Sequence, residues 1–235
     1  MNFTIIAPCF NEEESIPDLV DQFSDLLKNR TNVKLLIVNN GSTDNSKEIL
    51  DRLCERESFL ESIHIEKNIG YGNGVVAGLR STKSEFVTWM YGDLQSRPVD
   101  TVKAIEMMED EGFPKDLYIK GTRRGRPFFD QCITLMMSII ESIYFRRILY
   151  DINSSPSLFH RDFLNYWDNP PDDYCLDLYA YYLAQRANFR MKRFQIDYLP
   201  RIHGISSWNY GLKAKAQLFI RFIKYSFQLK NELKK

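Results

Sequence analysis

Residues 3–13 of the chain read FTIIAPCFNEE, and this stretch carries the pattern that decides the fold. Residues 3–7 form a short, apolar and β-branched run, which is typical of a buried strand that Pro8 brings to an end. Acidic residues crowd positions 11–15, where the positive end of a helix dipole favours them, and apolar residues then recur at helical spacing from Ile16. The stretch therefore predicts a strand, a polar loop and an amphipathic helix in succession.

The same alternation continues along the first half of the chain. Further strands are predicted over residues 33–38, 63–65 and 86–90, with helices between them. This βαβαβαβ order predicts an α/β fold of the doubly wound type, in which helices cover both faces of a mostly parallel sheet. Ligands of such sheets lie at the carboxyl ends of the strands. We therefore expect one cleft to be surrounded by the loops over 8–13, 39–44 and 91–95.

The pattern changes in the second half of the chain. A strand over 117–120 leads into a basic loop that contains Arg123, Arg124 and Arg126 and would suit a flexible lid over phosphates. The remaining predicted elements are a nearly all-apolar helix over 132–150, an aromatic helix over 174–187, a strand over 191–198 and a basic amphipathic helix over 210–235.

The charge of the chain is unevenly distributed, although its 31 basic and 31 acidic residues cancel. Residues 1–118 carry 21 acidic and 12 basic side chains, whereas residues 190–235 carry 11 basic and 2 acidic ones. This gradient indicates a surface-binding C-terminal end. Nothing beyond the basic tail supports nucleic-acid binding, and a hydrophobic share of 44% excludes a disordered chain.

Cysteine usage and hydropathy predict a location in the cytoplasm. The four cysteines are widely spaced and contain no Cys-x-x-Cys pair, so neither a disulfide framework nor a zinc site is indicated. The longest stretch without a charged residue, 68–79, is glycine-rich and far shorter than the ~20 apolar residues that cross a bilayer. We also expect no signal peptide, because the first residues contain neither a basic segment nor a small-residue cleavage site.

The loop after the fourth predicted strand carries Asp93 and Gln95 on either side of Leu94. Both side chains face the same way if the extended geometry of the strand persists. A carboxylate and an amide oxygen at this spacing can hold Mg²⁺ or Mn²⁺ and leave positions open for a diphosphate. The alternative is a turn that merely ends the strand.

Six short motifs occur in order over most of the chain: PCFNEE at 8–13, VNNGSTD at 38–44, NIGYG at 68–72, GDLQ at 92–95, KGTR at 120–123 and RIHGIS at 201–206. By these motifs the chain resembles the family 2 glycosyltransferases. Within that family it is most similar to the dolichyl- or polyprenyl-phosphate sugar transferases and their soluble bacterial relatives. The resemblance implies a GT-A fold, a nucleotide-sugar donor, Mg²⁺ or Mn²⁺, and inversion at the anomeric carbon.

The resemblance also implies roles for individual residues. Those that would bind the nucleotide sugar are Pro8, Phe10, Glu12, Asn40, Asp93 and Arg123. Asp93 would bind the metal with Gln95 beside it, and Arg201 would meet the diphosphate or an acceptor phosphate. A hydroxyl acceptor would need a general base, for which Asp173 and Asp177 are the candidates, whereas a phosphate acceptor is already ionised.

The sequence departs from the family pattern at three places. Tyr91 stands where the first aspartate of the Asp-x-Asp motif usually lies, which leaves the metal one protein carboxylate fewer. Asn39 and Asn40 replace the usual pair of aspartates, and an amide can offer the base both a donor and an acceptor. Thr134 stands where phosphate-acceptor relatives often carry an arginine, four residues before Ser138.

These observations predict a glycosyltransferase catalytic domain over 1–209, with a nucleotide-sugar half over 1–120 and an acceptor half over 121–209. The acceptor is either a polyprenyl phosphate or a hydroxyl of a cell-envelope glycan. A catalytically silent nucleotide-binding protein of the same fold is the main alternative. A dinucleotide-dependent oxidoreductase is disfavoured, because the third glycine after residue 69 comes one position early for G-x-G-x-x-G.

The basic helix over 210–235 has two interpretations. It can lie on an anionic membrane surface, to which each lysine or arginine adds roughly 1 kcal/mol of attraction. It can equally pack its apolar face on the catalytic domain or on a second subunit of a homodimer. The sequence favours a cytoplasmic enzyme that is peripheral on the inner face of the membrane.

Overall fold

A computed structural model describes residues 1–201 and 211–233, and it contains a single seven-stranded sheet with helices on both faces. The strands are β1 Phe3–Cys9, β2 Val33–Asn40, β3 Leu60–Ile65, β4 Phe86–Trp89, β5 Leu117–Arg124, β6 Ser157–His160 and β7 Arg190–Asp197. The helices are α1 Ser15–Leu27, α2 Ser46–Arg56, α3 Tyr71–Ser81, α4 Pro98–Asp110, α5 Phe128–Phe145, α6 Leu176–Arg186 and α7 Gly211–Glu232, with a 3₁₀ turn over Arg161–Tyr166.

The sheet has the strand order β3-β2-β1-β4-β6-β5-β7. β1 pairs in parallel with β2 and β4, and β2 pairs in parallel with β3. β6 runs antiparallel to both β4 and β5, while β5 and β7 are parallel. The predicted mostly parallel α/β sheet is therefore confirmed, and its carboxyl-terminal edge brings the ends of β1, β2 and β4 together.

Successive side chains of the strands lie in two different hydrophobic cores, because strand residues point alternately to opposite faces of a sheet. Ile5 lies in the core beneath α1 and α4, and its neighbour Ile6 lies in the core beneath α3, α6 and α7. Phe222 and Leu229 of α7 are buried in this second core. The apolar face of the C-terminal helix thus packs on the rest of the α/β domain, in agreement with one of the two interpretations of this helix.

The structure corrects several element boundaries. β5 extends to Arg124, because Arg124 pairs with Asp197 in β7. The helix expected over 132–150 is α5, which begins at Phe128 and ends at Phe145. Arg146 adopts a left-handed conformation with φ of 54°, and the Ser142 side chain accepts the backbone N–H of Leu149, so the chain turns back at that point.

Two elements were not expected from the sequence. β6 is only four residues long, which is too short for a periodic pattern to show. Helix α4 begins at Pro98, and proline is favoured at the first position of a helix. The helix buries Val102, Ile105 and Met108 at helical spacing.

Candidate active site

A cleft of about 520 Å³ opens at the carboxyl ends of β1, β2 and β4. Its first wall, which we call the motif wall, is formed by the predicted motif loops. The motif-wall residues that sequence analysis proposed for the site are Pro8, Phe10, Glu12, Asn40, Asp93, Gln95, Arg123 and Arg201. The structure therefore brings eight of the ten predicted site residues to one cavity. Residues 202–206 of the last motif, including His203, lie outside the described residues.

Asn40 at the end of β2 is almost fully buried beside the cleft. Its amide nitrogen donates to the backbone oxygen of Gly70 at 2.9 Å, whereas its Oδ1 has no hydrogen-bond partner among the described residues. A buried acceptor without a donor is costly, and a ligand N–H would remove that cost. Asn40 lines the cleft, and because its nitrogen is occupied, the group that it has left for a ligand is an acceptor.

The glycines after β3 form a tight packing turn and leave no space for a dinucleotide. Gly70 has φ of 140°, and a Cβ placed there would lie 2.1 Å from the backbone oxygen of Asp172. A Cβ at Gly72 would lie 2.4 Å from the backbone oxygen of Pro171. The space at the N-terminus of α3 is thus filled by the backbone of residues 171–173, which fixes the loop leading into α6.

Two carboxylates of the motif wall, the buried Glu12 and the partly buried Asp93, interact with the guanidinium of Arg201. Glu12 forms an ion pair with Arg201 and accepts a hydrogen bond from Ser15 Oγ at 2.8 Å. Burial raises the pKa of Glu12 despite these partners. Burial also raises the pKa of Asp93, whose Oδ1 accepts the backbone N–H of Gln95 at 3.2 Å. A bound cation would offset the cost of keeping Asp93 ionised.

The donor set for a metal is small but chemically suitable. Among residues 1–201 and 211–233, no three His, Cys, Asp or Glu side chains cluster as a metal site. Asp93 offers a carboxylate and Gln95, on the same wall, an amide oxygen. Mg²⁺ keeps several waters and is commonly held by one or two carboxylates together with substrate phosphates. The set therefore fits Mg²⁺ or Mn²⁺ if oxygens of a diphosphate complete the coordination.

Tyr91 replaces a carboxylate in the family motif and separates the cleft from Asp177. Its hydroxyl lies 3.1 Å from the backbone oxygen of Asn153 and 3.4 Å from Asp177 Oδ2. Its ring lies against Tyr71, with ring centroids 5.2 Å apart, and Tyr71 stacks on Tyr174 at 5.0 Å. All three rings line the cleft as one aromatic surface.

The two predicted general bases do not line the cleft. Asp177 is 1% exposed and accepts hydrogen bonds from Trp89 Nε1 and Asn153 Nδ2, both at 3.2 Å. Burial raises the pKa of its carboxyl group. Asp173 forms an ion pair with Arg221 of α7 at 3.0 Å, in a separate surface depression. Neither carboxylate is therefore in direct reach of an acceptor hydroxyl in the cleft.

The three arginines of the expected basic lid take different positions. Arg123 is held by Asp151, whose Oδ1 accepts Arg123 Nε at 2.9 Å and whose Oδ2 accepts its backbone N–H at 2.7 Å. Burial opposes ionisation of Asp151, but the Arg123 charge and hydrogen bonds outweigh it and lower the pKa of that carboxyl. Arg124 is exposed and pairs with Asp197. The expected flexible lid is thus largely a continuation of β5.

Arg126 is a cleft residue that the predicted site did not include. Its Nη1 donates to Thr134 Oγ1 at 2.6 Å, and its Nε is buried without a hydrogen-bond partner among the described residues. Burial and the neighbouring Arg123 charge lower the pKa of its guanidinium. Thr134 is the position at which phosphate-acceptor relatives often carry an arginine. Arg126 therefore brings a guanidinium to that position from another part of the chain.

The second wall of the cleft, which we call the helix wall, is apolar and comes from α5 and α7. Its apolar residues are Ile133, Met137, Leu218 and Phe219. Asp130 and Lys215 form an ion pair between the two helices at the same wall. The sequence signals for this wall were the apolar character of α5 and the amphipathic pattern of α7. Neither signal shows that the two helices together line one wall of a site.

The family model of glycosyl transferase family 2 matches residues 4–127 of the chain. The chain belongs to this family. It is 28% identical over 127 residues to an undecaprenyl-phosphate 4-deoxy-4-formamido-L-arabinose transferase from Yersinia pestis. That match covers 53% of this chain and 38% of the relative, so the chain matches well under half of that protein's length.

Solved structures of glycosyltransferases share the fold over nearly the whole chain. Glucosyl-3-phosphoglycerate synthase from Mycobacterium tuberculosis, solved with Mn²⁺, UDP and glucosyl-3-phosphoglycerate, has a TM-score of 0.71 at 15% identity. The match covers 96% of this chain and 79% of the synthase. A mannosyltransferase from Pyrobaculum calidifontis, solved with GDP-Man and Mn²⁺, has a TM-score of 0.68 at 17% identity, over 97% of this chain and 64% of that enzyme. The predicted GT-A fold is confirmed.

Proposed function

We propose that this family 2 glycosyltransferase is a metal-dependent, inverting hexosyltransferase that uses a nucleotide-sugar donor. The acceptor is a polyprenyl phosphate or a cell-envelope glycan. The observation that carries the proposal is the convergence of the motif-wall residues on one cleft at the carboxyl edge of the sheet. Similar proteins support the proposal. They include a polyprenyl-phosphate sugar transferase and enzymes solved with nucleotides and Mn²⁺.

The nucleoside of the donor would lie between residues 8–12 and Asn40. Phe10 is 43% exposed and offers an apolar surface beside the cleft. The unpartnered Oδ1 of Asn40 would accept an N–H from the base, such as N3–H of uracil or N1–H of guanine. Uracil and guanine offer such a ring N–H, whereas cytosine could donate to Asn40 only through its exocyclic amino group.

The diphosphate would lie between Asp93 and the arginines of the motif wall. Mg²⁺ or Mn²⁺ held by Asp93 and Gln95 would neutralise charge on the leaving diphosphate. Arg201, which Glu12 positions through their ion pair, would add a second positive group. Arg123 has its charge balanced by Asp151 and therefore contributes mainly by holding β5 against the cleft.

The protein would act at the inner face of the membrane in the cytoplasm. Within the described residues, α5 is the one helix long and apolar enough to cross a bilayer by length and composition alone. Its Asp130 and Glu141 contact α7, however, so α5 is part of the folded domain. The exposed apolar side chains of α5 and the basic residues nearby support peripheral attachment. A homodimer remains a prediction.

A nucleotide screen tests the proposal directly. We expect UDP or GDP to raise the melting temperature more with Mn²⁺ than without it, since a ligand that binds only the native state stabilises it. In a panel of nucleotide sugars with Mn²⁺, Asp93→Ala should lower the rate of donor cleavage by about a hundredfold or more. Asp110→Ala, an exposed carboxylate at the end of α4, is the matched control. Equal rates in the Asp93 variant and the wild type would contradict the metal assignment.

A catalytically silent nucleotide-binding protein is the second candidate, and Tyr91 favours it. Tyr91 stands where relatives usually carry a metal-binding carboxylate, and its hydroxyl contacts Asp177. The same screen separates the two candidates. Nucleotide stabilisation without cleavage or transfer of any donor would support the silent protein.

A further inference from the structure

Helix α7 lines a second depression, which lies outside the cleft. Among the described residues, those lining it are six residues of α7 together with Asp173, which belongs to the loop before α6. Arg221 Nε of α7 lies 3.0 Å from Asp173 Oδ2. This ion pair joins the helix that supplies Leu218 and Phe219 to the cleft to a loop from another part of the chain.

The carboxylate of Asp173 also fixes the start of α6. Its Oδ1 accepts the backbone N–H of Cys175 at 2.8 Å, and its backbone oxygen accepts that of Leu176 at 3.1 Å. These N–H groups at the start of a helix have no partner within the helix itself. Because both oxygens of the carboxylate are engaged, Asp173 is held in one orientation between α6 and α7.

The backbone of residues 171–173 lies directly against the glycine turn before α3. The backbone oxygen of Asp172 accepts the N–H of Asn73 at 3.0 Å, and a Cβ at Gly70 would lie 2.1 Å from the same oxygen. A Cβ at Gly72 would lie 2.7 Å from the backbone oxygen of Asp173. Segments packed this closely move together, so a displacement of the loop also displaces the turn.

The glycine turn in its place holds the amide of Asn40. The backbone oxygen of Gly70 accepts Asn40 Nδ2 at 2.9 Å, and a Cβ at Gly74 would lie 3.2 Å from the same nitrogen. This contact orients the amide and leaves its Oδ1 for a ligand. An unbroken series of contacts therefore runs from Arg221 through Asp173 and the turn at Gly70 to Asn40.

We infer that Asp173 is a positioning residue for the nucleotide, held in place from α7 by Arg221. The pair fixes the loop over 171–173 and, through the turn at Gly70, the amide of Asn40. Docking of α7 and binding of the base thus support one another across the cleft. This inference rests on the proposed function for the role of Asn40, and it gives Asp173 a role other than that of a general base.

A merely structural ion pair would behave differently. Arg221 is 63% exposed, and an ion pair this exposed contributes little to folding stability. Its loss should therefore leave the midpoint of unfolding in urea nearly unchanged. If the pair served only the fold, nucleotide affinity would be unchanged as well. A positioning role predicts unchanged stability together with weaker nucleotide binding.

Calorimetric titration of the full chain with UDP or GDP in the presence of Mn²⁺ tests the inference. We expect Arg221→Met and Asp173→Asn each to weaken nucleotide binding by about two- to fivefold, which is what an exposed ion pair can supply. Arg221→Lys should lie closer to the wild type than Arg221→Met, because it keeps the positive charge. Lys224→Met, which removes another exposed cation of the same depression, is the matched control and should bind like the wild type.

The double variant shows whether the two residues act through one another. It should bind nucleotide no more weakly than either single variant, because each substitution removes the same contact. Effects that multiply would overturn the inference, as would single variants that bind like the wild type. A general base would give a third pattern, in which Asp173→Asn lowers kcat about a hundredfold with unchanged nucleotide affinity. That pattern would also overturn the inference.

Hydrogen exchange follows the same contacts without any ligand. The amides of Cys175 and Asn73 donate to Asp173 and Asp172, so Arg221→Met should speed their exchange by about two- to fivefold, as resolved by NMR. Unchanged exchange at both amides would overturn the inference. If Arg221→Met speeds exchange but neither UDP nor GDP binds the wild type, the link from α7 to the glycine turn stands and the proposed function is contradicted.

Discussion

The two walls of the cleft are built by different means. The motif wall consists of short loops at the ends of buried parallel strands, and close backbone packing at Gly70 and Gly72 fixes its shape. The helix wall consists of side chains on two helices whose outer surfaces remain largely exposed. The motif wall is thus a rigid part of the sheet, whereas the helix wall depends on how α5 and α7 pack on each other.

This difference matches the chemistry that each wall would support. Charge stabilisation on a leaving diphosphate requires groups that are already in place, because reorganisation is costly. Binding of a flexible hydrocarbon requires only a continuous apolar surface. The helix wall can therefore vary while the motif wall stays the same, which is how one catalytic fold can serve different acceptors.

Substitution of Gly70 should have the largest effect on the motif wall. Gly70→Ala places a Cβ 2.1 Å from the backbone oxygen of Asp172 and forces alanine to φ of 140°. We expect the free energy of unfolding, measured in urea, to fall by about 3–5 kcal/mol, because backbone strain and steric overlap add. Gly112→Ala has φ of 76° with no atom within 4 Å of the new Cβ, and should cost only about 1–2 kcal/mol. Equal costs would show that close packing does not fix this wall.

A buried glutamate should make the packing of the helix wall depend on pH. Glu141 of α5 is fully buried, and its Oε2 lies 2.7 Å from Ser226 Oγ of α7. Ser226 Oγ also lies 2.9 Å from the backbone oxygen of Phe222. One hydroxyl proton cannot serve both oxygens, but a protonated Glu141 can donate to Ser226 while Ser226 donates to Phe222. Burial raises the pKa of Glu141 to about 7, well above its ordinary value.

The sign of the pH dependence follows from proton binding. Between about pH 4.5 and 7 the unfolded chain releases the proton of Glu141 while the folded chain retains it. The contribution to stability is therefore complete at low pH and is lost as pH rises through about 7, at up to about 1.4 kcal/mol per pH unit. Glu141→Gln should remove this slope in urea unfolding measured from pH 5 to 8. A slope that survives the substitution would have to come from another group.

The comparison of the two walls also explains what the sequence could predict. The motif wall was predictable because its residues lie in or just after the last residues of strands that are recognisable from their own apolar runs, and parallel strands end at one edge. The resemblance to the family placed Asp177 near the acceptor, but Tyr91 from the loop after β4 lies between Asp177 and the cleft. Likewise, Arg126 contacts Thr134 just after a strand that continues beyond its predicted end. Such contacts depend on tertiary packing, which periodicity does not encode.

The smallest effect should come from the exposed face of α5, and it tests whether the helix wall meets lipid. Leu135→Gln combined with Ile139→Gln should lower binding to anionic liposomes by about fivefold for each residue, because half-exposed side chains bury part of their surface in the interface. Stability should change by no more than about 0.5 kcal/mol per residue, since both side chains are surface-exposed. Ile69→Gln changes an apolar residue of similar exposure beside the motif wall and should leave liposome binding unaltered. If all three substitutions reduce flotation equally, attraction to lipid is not confined to the helix wall, and peripheral attachment through α5 is contradicted.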